Sequence, residues 1–292
     1  MLAQVPPVGA WYPSANPSEG PSPMPMRLRS VVLAALLAAL AAPASAQFRP
    51  DPQVVGEDYH VEIAFNFWNA TAEPVVNSEA LGILGTDINL VDDLGLEQKV
   101  LKDWRVVLRP GTKHRLHVDY LPMNYDQSDG QVNREFIFNG LRYPVGLPVA
   151  TTAEFKTWRF GYEYDFLYKP RGFLGVILDV QVTDVNVGLN SPIGDEFAKA
   201  LAPIPTIGAA GRFYPTKNIA LNGEFGYFRV PESVSDDYKG RYVDWDVNAT
   251  FNASKNFGVQ AGYQKIDIFY KVRNDTGALK FNGFYFGGTT RF

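Results

Sequence analysis

The side chains that most often act as general bases at neutral pH are scarce in this sequence. There are three histidines, His60, His114 and His117, and no cysteine. His60 and His117, with Glu62 and Asp119, are of the residue types that bind metal ions, but a metal site needs three or four converging ligands. We expect a hydrogen-bond network there instead. No Gly-x-Ser-x-Gly motif of a serine hydrolase is present.

Paired carboxylates are a second candidate for acid–base chemistry. Asp244 and Asp246 are two residues apart in a segment where apolar and polar residues alternate, so in a strand both would lie on the same face. Two carboxylates can divide acid and base roles when their environments differ. We expect both to point inward near the outer end of their strand, as partners of buried arginines. Together with other charges of the same parity they predict a lumen charge network: Arg105, Arg159, Glu163, Asp165, Asp179, Arg212, Glu224, Asp244 and Asp246.

An oxygen-rich loop is a third candidate. Asp87, Asn89, Asp92 and Asp93 carry the ligand types that Ca²⁺ prefers, but the loop lacks the spacing and the glycine of an EF-hand. A solvated or lumen-plugging loop is the simpler interpretation. The sequence therefore predicts no catalytic residue, no cofactor and no metal, and the question of an enzyme stays open but disfavoured.

The elements that must position these groups have the period of β-strands. Apolar and polar residues alternate through segment after segment, over runs longer than an ordinary strand of about 5 to 6 residues. The apolar face is rich in aromatic residues, which form 14% of the chain. Ten strands are predicted, at 58–69, 102–109, 114–126, 152–168, 172–187, 204–214, 218–230, 240–252, 257–270 and 280–292.

The connections alternate between short and long. Short polar turns are predicted near residues 109–113, 169–172, 215–218 and 253–256, and longer irregular stretches at 70–101, 127–151, 188–203, 231–239 and 271–278. This alternation is typical of outer-membrane barrels, with short turns on the periplasmic side. We therefore predict an all-β fold: a single antiparallel transmembrane up-and-down β-barrel of about 10 strands, with 8 or 12 as alternatives. Twelve would require a further hairpin around Ile83 to Leu90.

The N-terminal region has the features of an export signal. Arg27 and Arg29 precede an apolar run from Val31 to Ala42, followed by small residues up to Ala46. This run is shorter than the roughly 20 residues of a membrane-spanning helix. We expect residues 1–46 to be a removed leader, 47–57 a periplasmic segment and 58–292 the transmembrane β-barrel.

The C-terminal strand carries a resemblance. Phe284, Phe286 and Phe292 share one face, and Phe292 is the last residue. Such a strand resembles the closing strand of Gram-negative outer-membrane β-barrel proteins. The resemblance covers this strand alone and points to no particular member. It implies that Phe284, Phe286 and Phe292 form an assembly signal read by the outer-membrane barrel assembly machinery, with outer-membrane lipid as a further partner.

The resemblance leaves three classes of function. A structural or surface-interaction role through long extracellular loops is favoured, with an unknown extracellular partner. A small pore or transport protein for small solutes is the alternative. An outer-membrane hydrolase or lipid-modifying enzyme is least favoured, because surface proteases of this class use Asp and His at the outer rim, whereas His60, His114 and His117 fall near the periplasmic end. The net charge of −4 gives no sign of a nucleic-acid partner.

Overall fold

The computed structural model describes residues 54–77, 83, 85–231, 238–272 and 275–292. The predicted leader, 1–46, lies outside these residues. No helix in the described part of the chain is long and apolar enough to cross a membrane. Its strands are β1 (Val61–Asn77), β2 (Ile88–Asn89), β3 (Val100–Gly111), β4 (His114–Gln131), β5 (Phe136–Phe138), β6 (Leu141–Tyr143), β7 (Pro148–Lys169), β8 (Gly172–Ser191), β9 (Gly194–Phe213), β10 (Ile219–Arg229), β11 (Tyr238–Asn252), β12 (Phe257–Val272) and β13 (Asp275–Arg291).

Ten of these strands close into a barrel. Each pairs antiparallel with its neighbours in the order β1, β3, β4, β7, β8, β9, β10, β11, β12 and β13, and β13 pairs back onto β1 from Arg291 to Thr276. The predicted antiparallel barrel of about 10 strands is confirmed. The twelve-strand alternative is wrong, because the described part of the segment between β1 and β3 contributes only the two-residue β2, and β5 pairs with β6 in a separate sheet.

The alternation in the sequence becomes an inside and an outside. Along β7, Arg159, Glu163 and Asp165 are buried in the lumen, whereas Phe160 and Phe166, which each directly follow one of them, are exposed by half or more. The same alternation gives every barrel strand an apolar outward face. A continuous band of exposed aromatic and aliphatic side chains is the surface that a transmembrane barrel presents to lipid.

Several barrel strands continue beyond their predicted outer ends. The prediction of irregular loops at 188–203 and 271–278 is wrong, because β8 and β9 meet at a turn of Pro192 and Ile193, and 275–278 belong to β13. The inward parity of β8 continues above the outward apolar band through Val187 and Leu189, which are buried. The parts of these strands that extend beyond the outward apolar band are therefore stabilised by packing of their inward side chains inside the barrel.

Candidate functional site: the sealed lumen

The mouth of the barrel at which β1 begins and β13 ends, which we predict to face the periplasm, is closed by the segment that precedes β1. Glu57 points into the lumen, with its carboxylate 3.2 Å from Arg109, 3.3 Å from Arg115 and 3.2 Å from Arg212. Tyr214 donates a further hydrogen bond to this carboxylate at 2.7 Å. A carboxylate bonded to three guanidinium groups is held firmly, because charge-assisted hydrogen bonds are the strong ones. We call Glu57 and these four partners the periplasmic seal.

A glycine lets the segment enter the mouth. Gly56 has φ +87°, and a Cβ at this position would lie 2.7 Å from Arg291 and 2.8 Å from Asn252. Only glycine combines that backbone conformation with so close an approach. The backbone N–H of Val55 donates to the carbonyl of Lys217 in the β9–β10 turn at 2.8 Å, which fixes the segment against the barrel wall.

The centre of the lumen is built around Arg159. Its guanidinium lies 2.5 Å from Asp179, 2.5 Å from Glu224 and 3.4 Å from Asp244, and 3.8 Å from Asp119. Arginine suits this position because its planar head carries five N–H donors. One cation thereby joins strands β4, β7, β8, β10 and β11.

Arg105 completes a connection across the barrel. It bonds Asp119 on the neighbouring strand at 2.8 Å and Glu224 on β10 at 2.9 Å. Strands β3 and β10 are five positions apart in the ring of ten, so they face each other. The pair Arg105–Glu224 therefore crosses the full width of the lumen.

The remaining predicted lumen residues lie near the periplasmic seal or beside the cavity. Arg115 bonds Glu163 at 2.7 Å and Asp165 at 2.5 Å, and Arg212 donates to Asn222 at 2.6 Å. All nine side chains of the predicted lumen charge network face the interior. The expectation that Asp244 and Asp246 lie near the outer end of their strand is wrong, because both lie in the middle of β11.

A cavity of about 140 Å³ lies beside this network. Asp103 and Asp246 face it, and no Lys, Arg or His nitrogen of the described chain is within 4.0 Å of either carboxylate. Asp103 accepts from Asn66 at 3.2 Å, and Asp246 accepts from Asn248 at 2.7 Å and from Tyr285 at 3.0 Å. Such a polar cavity is large enough for several water molecules.

The outer half of the lumen is filled with apolar side chains. Phe155 on β7 and Phe281 on β13 have ring centroids 6.2 Å apart, although four strand-to-strand steps separate these strands around the barrel. The ring centroid of Trp68 lies 6.5 Å from that of Phe281. Two connecting segments, 85–96 and 132–147, complete this filling, and we call them the outer plug. Their buried apolar side chains are Ile88, Leu90, Leu94, Leu96, Val132, Phe136, Phe138 and Tyr143.

One ion pair joins the two halves of the outer plug. Arg134 donates to both carboxylate oxygens of Asp93, at 2.9 and 2.6 Å, and the backbone N–H of Asn89 donates to Asp93 at 2.9 Å. Burial raises the pKa of the Asp93 carboxyl, but the hydrogen bonds from Arg134 and Asn89 outweigh this and hold the pKa below its usual 3.8. The loop that could have bound Ca²⁺ therefore directs its carboxylates at the protein itself.

The histidines do not converge on a metal site. His117 lies 3.5 Å from Asp119 and 3.2 Å from Asp179, within the lumen charge network. His60 precedes β1 at the end of the barrel where the periplasmic seal lies, and the ring of His114 bonds Tyr162 on the outside of the barrel at 2.7 Å. Among the described residues, no three His, Cys, Asp or Glu side chains are grouped as metal ligands would be.

Several lumen charges lie outside the predicted network. Glu57 comes from a non-strand segment, where alternation gives no signal. Arg109, Arg115, Asp119 and Arg291, in contrast, have the inward parity of predicted strands and were identifiable from it. The predicted assembly residues Phe284, Phe286 and Phe292 are exposed by 73%, 64% and 67% on the outward face. Their role in assembly stays a prediction.

Comparison with known proteins bears on the fold. No protein-family model matches the chain, and no curated protein matches it. The solved structure of the outer membrane protease OmpT from Escherichia coli is similar, with 10% identity over 85% of this chain and 100% of that chain and a TM-score of 0.51. The fold is that of an outer-membrane β-barrel.

Two other solved structures are more distant. A FadL homologue of Pseudomonas aeruginosa has 10% identity over 75% of this chain and 64% of that chain, with a TM-score of 0.38. Ail, the attachment invasion locus protein of Yersinia pestis, has 9% identity over 79% of this chain and 98% of that chain, with a TM-score of 0.32. At these identities the likeness concerns the fold and carries no activity over to this chain.

Proposed function

We propose that this chain is an integral outer-membrane barrel whose lumen is sealed, and that it has a structural or surface-interaction role exerted through its outer loops. The observation that carries the proposal is the filling of the lumen at three levels. The periplasmic seal closes one end, the Arg159 and Arg105 ion pairs cross the middle, and the outer plug fills the other end.

The outward face supports a membrane location. Phe160, Leu178, Ile207, Phe284 and Phe286 are each exposed by half or more on the barrel exterior. In water such a band would aggregate, because exposure of apolar surface costs roughly 25 cal/mol per Å². In lipid the same surface is satisfied, and within the described residues the ladder of ten strands closes from β13 onto β1.

The filling of the lumen disfavours the pore alternative. A solute crossing the barrel would have to separate Arg105 from Glu224 and Arg159 from Asp179, and breaking a buried ion pair costs about 3–5 kcal/mol. It would also have to displace the outer plug. A barrel of this strand number has an interior that side chains can fill.

The outer loops form a joint surface. Asn139, in the turn between β5 and β6, hydrogen-bonds Glu196 at the start of β9. Val145 and Ile193 are exposed by 65% and 44% on the segments so joined. Apolar side chains at exposed tips suit recognition of another molecule, and loops held by a rigid scaffold commonly carry function.

Cysteine labelling tests the location and the orientation, because the natural chain has no cysteine to interfere. Val145→Cys places a thiol on the outer loops, and Lys255→Cys places one in the β11–β12 turn. On intact cells a membrane-impermeant maleimide should label the first variant alone, whereas permeabilised cells should label both. Absence of both variants from the outer-membrane fraction, or labelling of Lys255→Cys on intact cells, would contradict the proposal.

A further inference from the structure

Two carboxylates that face the cavity of the lumen have no cationic partner. They are Asp103 on β3 and Asp246 on β11, and each lies more than 4.0 Å from every Lys, Arg and His nitrogen of the described chain. Asp246 is, in addition, the register partner of Glu224 on β10. Like charges directly opposite on neighbouring strands destabilise a sheet, and a buried charge is costly unless it is paired. These two carboxylates therefore need a balancing charge.

The wall of the cavity as a whole has an excess of negative charge. Seven carboxylates line it, together with four guanidinium groups and the imidazole of His117. Even with a positive charge on His117, the carboxylates exceed the cations of the wall by two. Five of the seven carboxylates have an ion-pair partner, and Asp103 and Asp246 are the two that have none within the described chain.

One oxygen of each unpaired carboxylate has no hydrogen-bond donor within the described residues. Asn66 donates to Oδ2 of Asp103 at 3.2 Å, whereas Asn248 and Tyr285 both donate to Oδ1 of Asp246, at 2.7 and 3.0 Å. Donors on one oxygen fix the orientation of a carboxylate, and the second oxygen keeps its lone pairs for a ligand. Each carboxylate is therefore held in place with one oxygen available.

A third carboxylate of the same cavity has an oxygen without a partner. Asp244 lines the cavity and is only 5% exposed, and its Oδ1 atom has no hydrogen-bond donor among the described residues. Its Oδ2 atom lies 3.4 Å from Arg159. Asp244 and Asp246 are two residues apart on β11, so both belong to its inward face. Three carboxylates therefore contribute oxygens without donors to one cavity.

A glycine on the strand between them lets the donors reach Asp246. Gly262 of β12 lies between β11 and β13, and a Cβ at this position would lie 2.5 Å from Cβ of Asn248 and 2.8 Å from Cζ of Tyr285. Any larger residue would displace both side chains. Asn248 and Tyr285 can therefore pack over β12 and donate to the same oxygen of Asp246.

We propose that the cavity binds a hydrated divalent cation, Ca²⁺ or Mg²⁺, between Asp103 and Asp246. Strands β3 and β11 are four steps apart around the ring of ten, so the two carboxylates face the cavity from different sides. Hard divalent cations prefer carboxylate and amide oxygens, and Mg²⁺ commonly keeps several waters while one or two carboxylates hold it. One such ion would balance both unpaired charges.

Water would supply most of the ligands of this cation. No three His, Cys, Asp or Glu side chains of the described chain are grouped to enclose a metal ion, and the cavity of about 140 Å³ has room for several waters. The inference goes beyond the proposed function and depends only on the folded barrel.

The dependence of stability on cations tests the proposal. Because the lumen is filled at both ends, Ca²⁺ or Mg²⁺ is added before the protein is refolded into phosphatidylcholine vesicles, and EDTA or Na⁺ at equal ionic strength is the reference. The urea midpoint is followed by tryptophan fluorescence. The variant D103N/D246N removes both charges and keeps the size of the side chains. The matched control D126N/D184N removes two exposed carboxylates from the outside of the barrel.

Ca²⁺ or Mg²⁺ should raise the urea midpoint of the wild type and of D126N/D184N. Once the site is saturated, each tenfold rise in free cation should lower the unfolding equilibrium constant about tenfold. The midpoint of D103N/D246N should not depend on either cation. In EDTA this variant should be at least as stable as the wild type, because it no longer buries two unpaired charges.

Three results would overturn the proposal: a wild-type midpoint that does not change with Ca²⁺ or Mg²⁺, an equal rise in all three proteins, or an equal rise with Na⁺. If D103N/D246N does not fold, the single variant D103N takes its place, and it should need more cation than the wild type for the same midpoint. Each of these results would leave the proposed function intact, because cysteine labelling of residues 145 and 255 tests that separately.

Discussion

Removal of Arg159 should destabilise the barrel more than removal of any exposed cation. Its side chain is buried, and its Nη2 atom lies 2.5 Å from Asp179 and 2.5 Å from Glu224. In Arg159→Met both carboxylates, together with Asp244, lose this cation. Loss of one partner from a buried ion pair costs about 3–5 kcal/mol. The nearby cavity admits water to part of the network, so we expect about 3 kcal/mol.

The free energy of unfolding can be measured by urea titration of the refolded protein in lipid vesicles, followed by tryptophan fluorescence. Arg241→Met is the matched control, because Arg241 is half-exposed and pairs with Asp267 at 3.1 Å. An exposed pair contributes less than about 1 kcal/mol. A second control is the triple variant Arg159→Met/Asp179→Asn/Asp244→Asn. It removes two of the carboxylate charges that the loss of Arg159 leaves unpaired, and it should restore part of the stability. An Arg159→Met barrel as stable as the Arg241→Met barrel would refute the reasoning.

Three further predictions concern other levels of the barrel. Gly56→Ala should destabilise the barrel by about 1–3 kcal/mol and expose the segment before β1 to protease. Gly95→Ala is the control, because Gly95 has φ +71° but no atom within 4 Å of an added Cβ, so this variant should show the cost of backbone strain alone. Equal destabilisation by the two variants would contradict the crowding of residue 56 against Arg291. Phe292→Ser should reduce assembly and deplete the protein from the outer-membrane fraction, and a normal heat-modifiable barrel in that fraction would count against the assembly signal. Because the pKa of Asp93 is lowered in the folded protein, the contribution of this carboxylate to stability is present above pH 3.8 and is lost as the pH falls through the folded-state pKa. The difference in unfolding free energy between wild type and Asp93→Asn should therefore shrink in acid. A difference that stays constant with pH would contradict the role of the Asp93–Arg134 pair.

The barrel wall was predictable from sequence because its signal is local. A period of two along one strand identifies both the lipid-facing residue, such as Phe160, and its inward neighbour, such as Arg159. The same period identified Arg105 and Glu224 as inward, although only the closed ring brings them together. The strand count followed from the alternation of short and long connections.

The filling of the lumen was much less predictable. Packing of Leu94 and Phe136 inside the barrel depends on contacts between segments far apart in sequence, and neither segment has a regular period. Glu57 lies before the first strand, so no pattern indicates that it enters the mouth. From the sequence, residues 70–101 could form a plug, a loop or an extra hairpin. In the structure, the described part of that stretch is divided between the end of β1, the outer plug, which contains β2, and the start of β3.

We infer that the lumen of the barrel is sealed. Single-channel conductance of the refolded wild-type protein in a planar lipid bilayer tests it most directly, with heat modifiability on a gel as the check that the inserted protein is a folded barrel. The filled lumen predicts insertion without discrete current steps across the accessible voltage range. Reproducible, voltage-tolerant steps from the folded barrel would show an open path past Arg159 and the outer plug, and would favour the pore alternative instead.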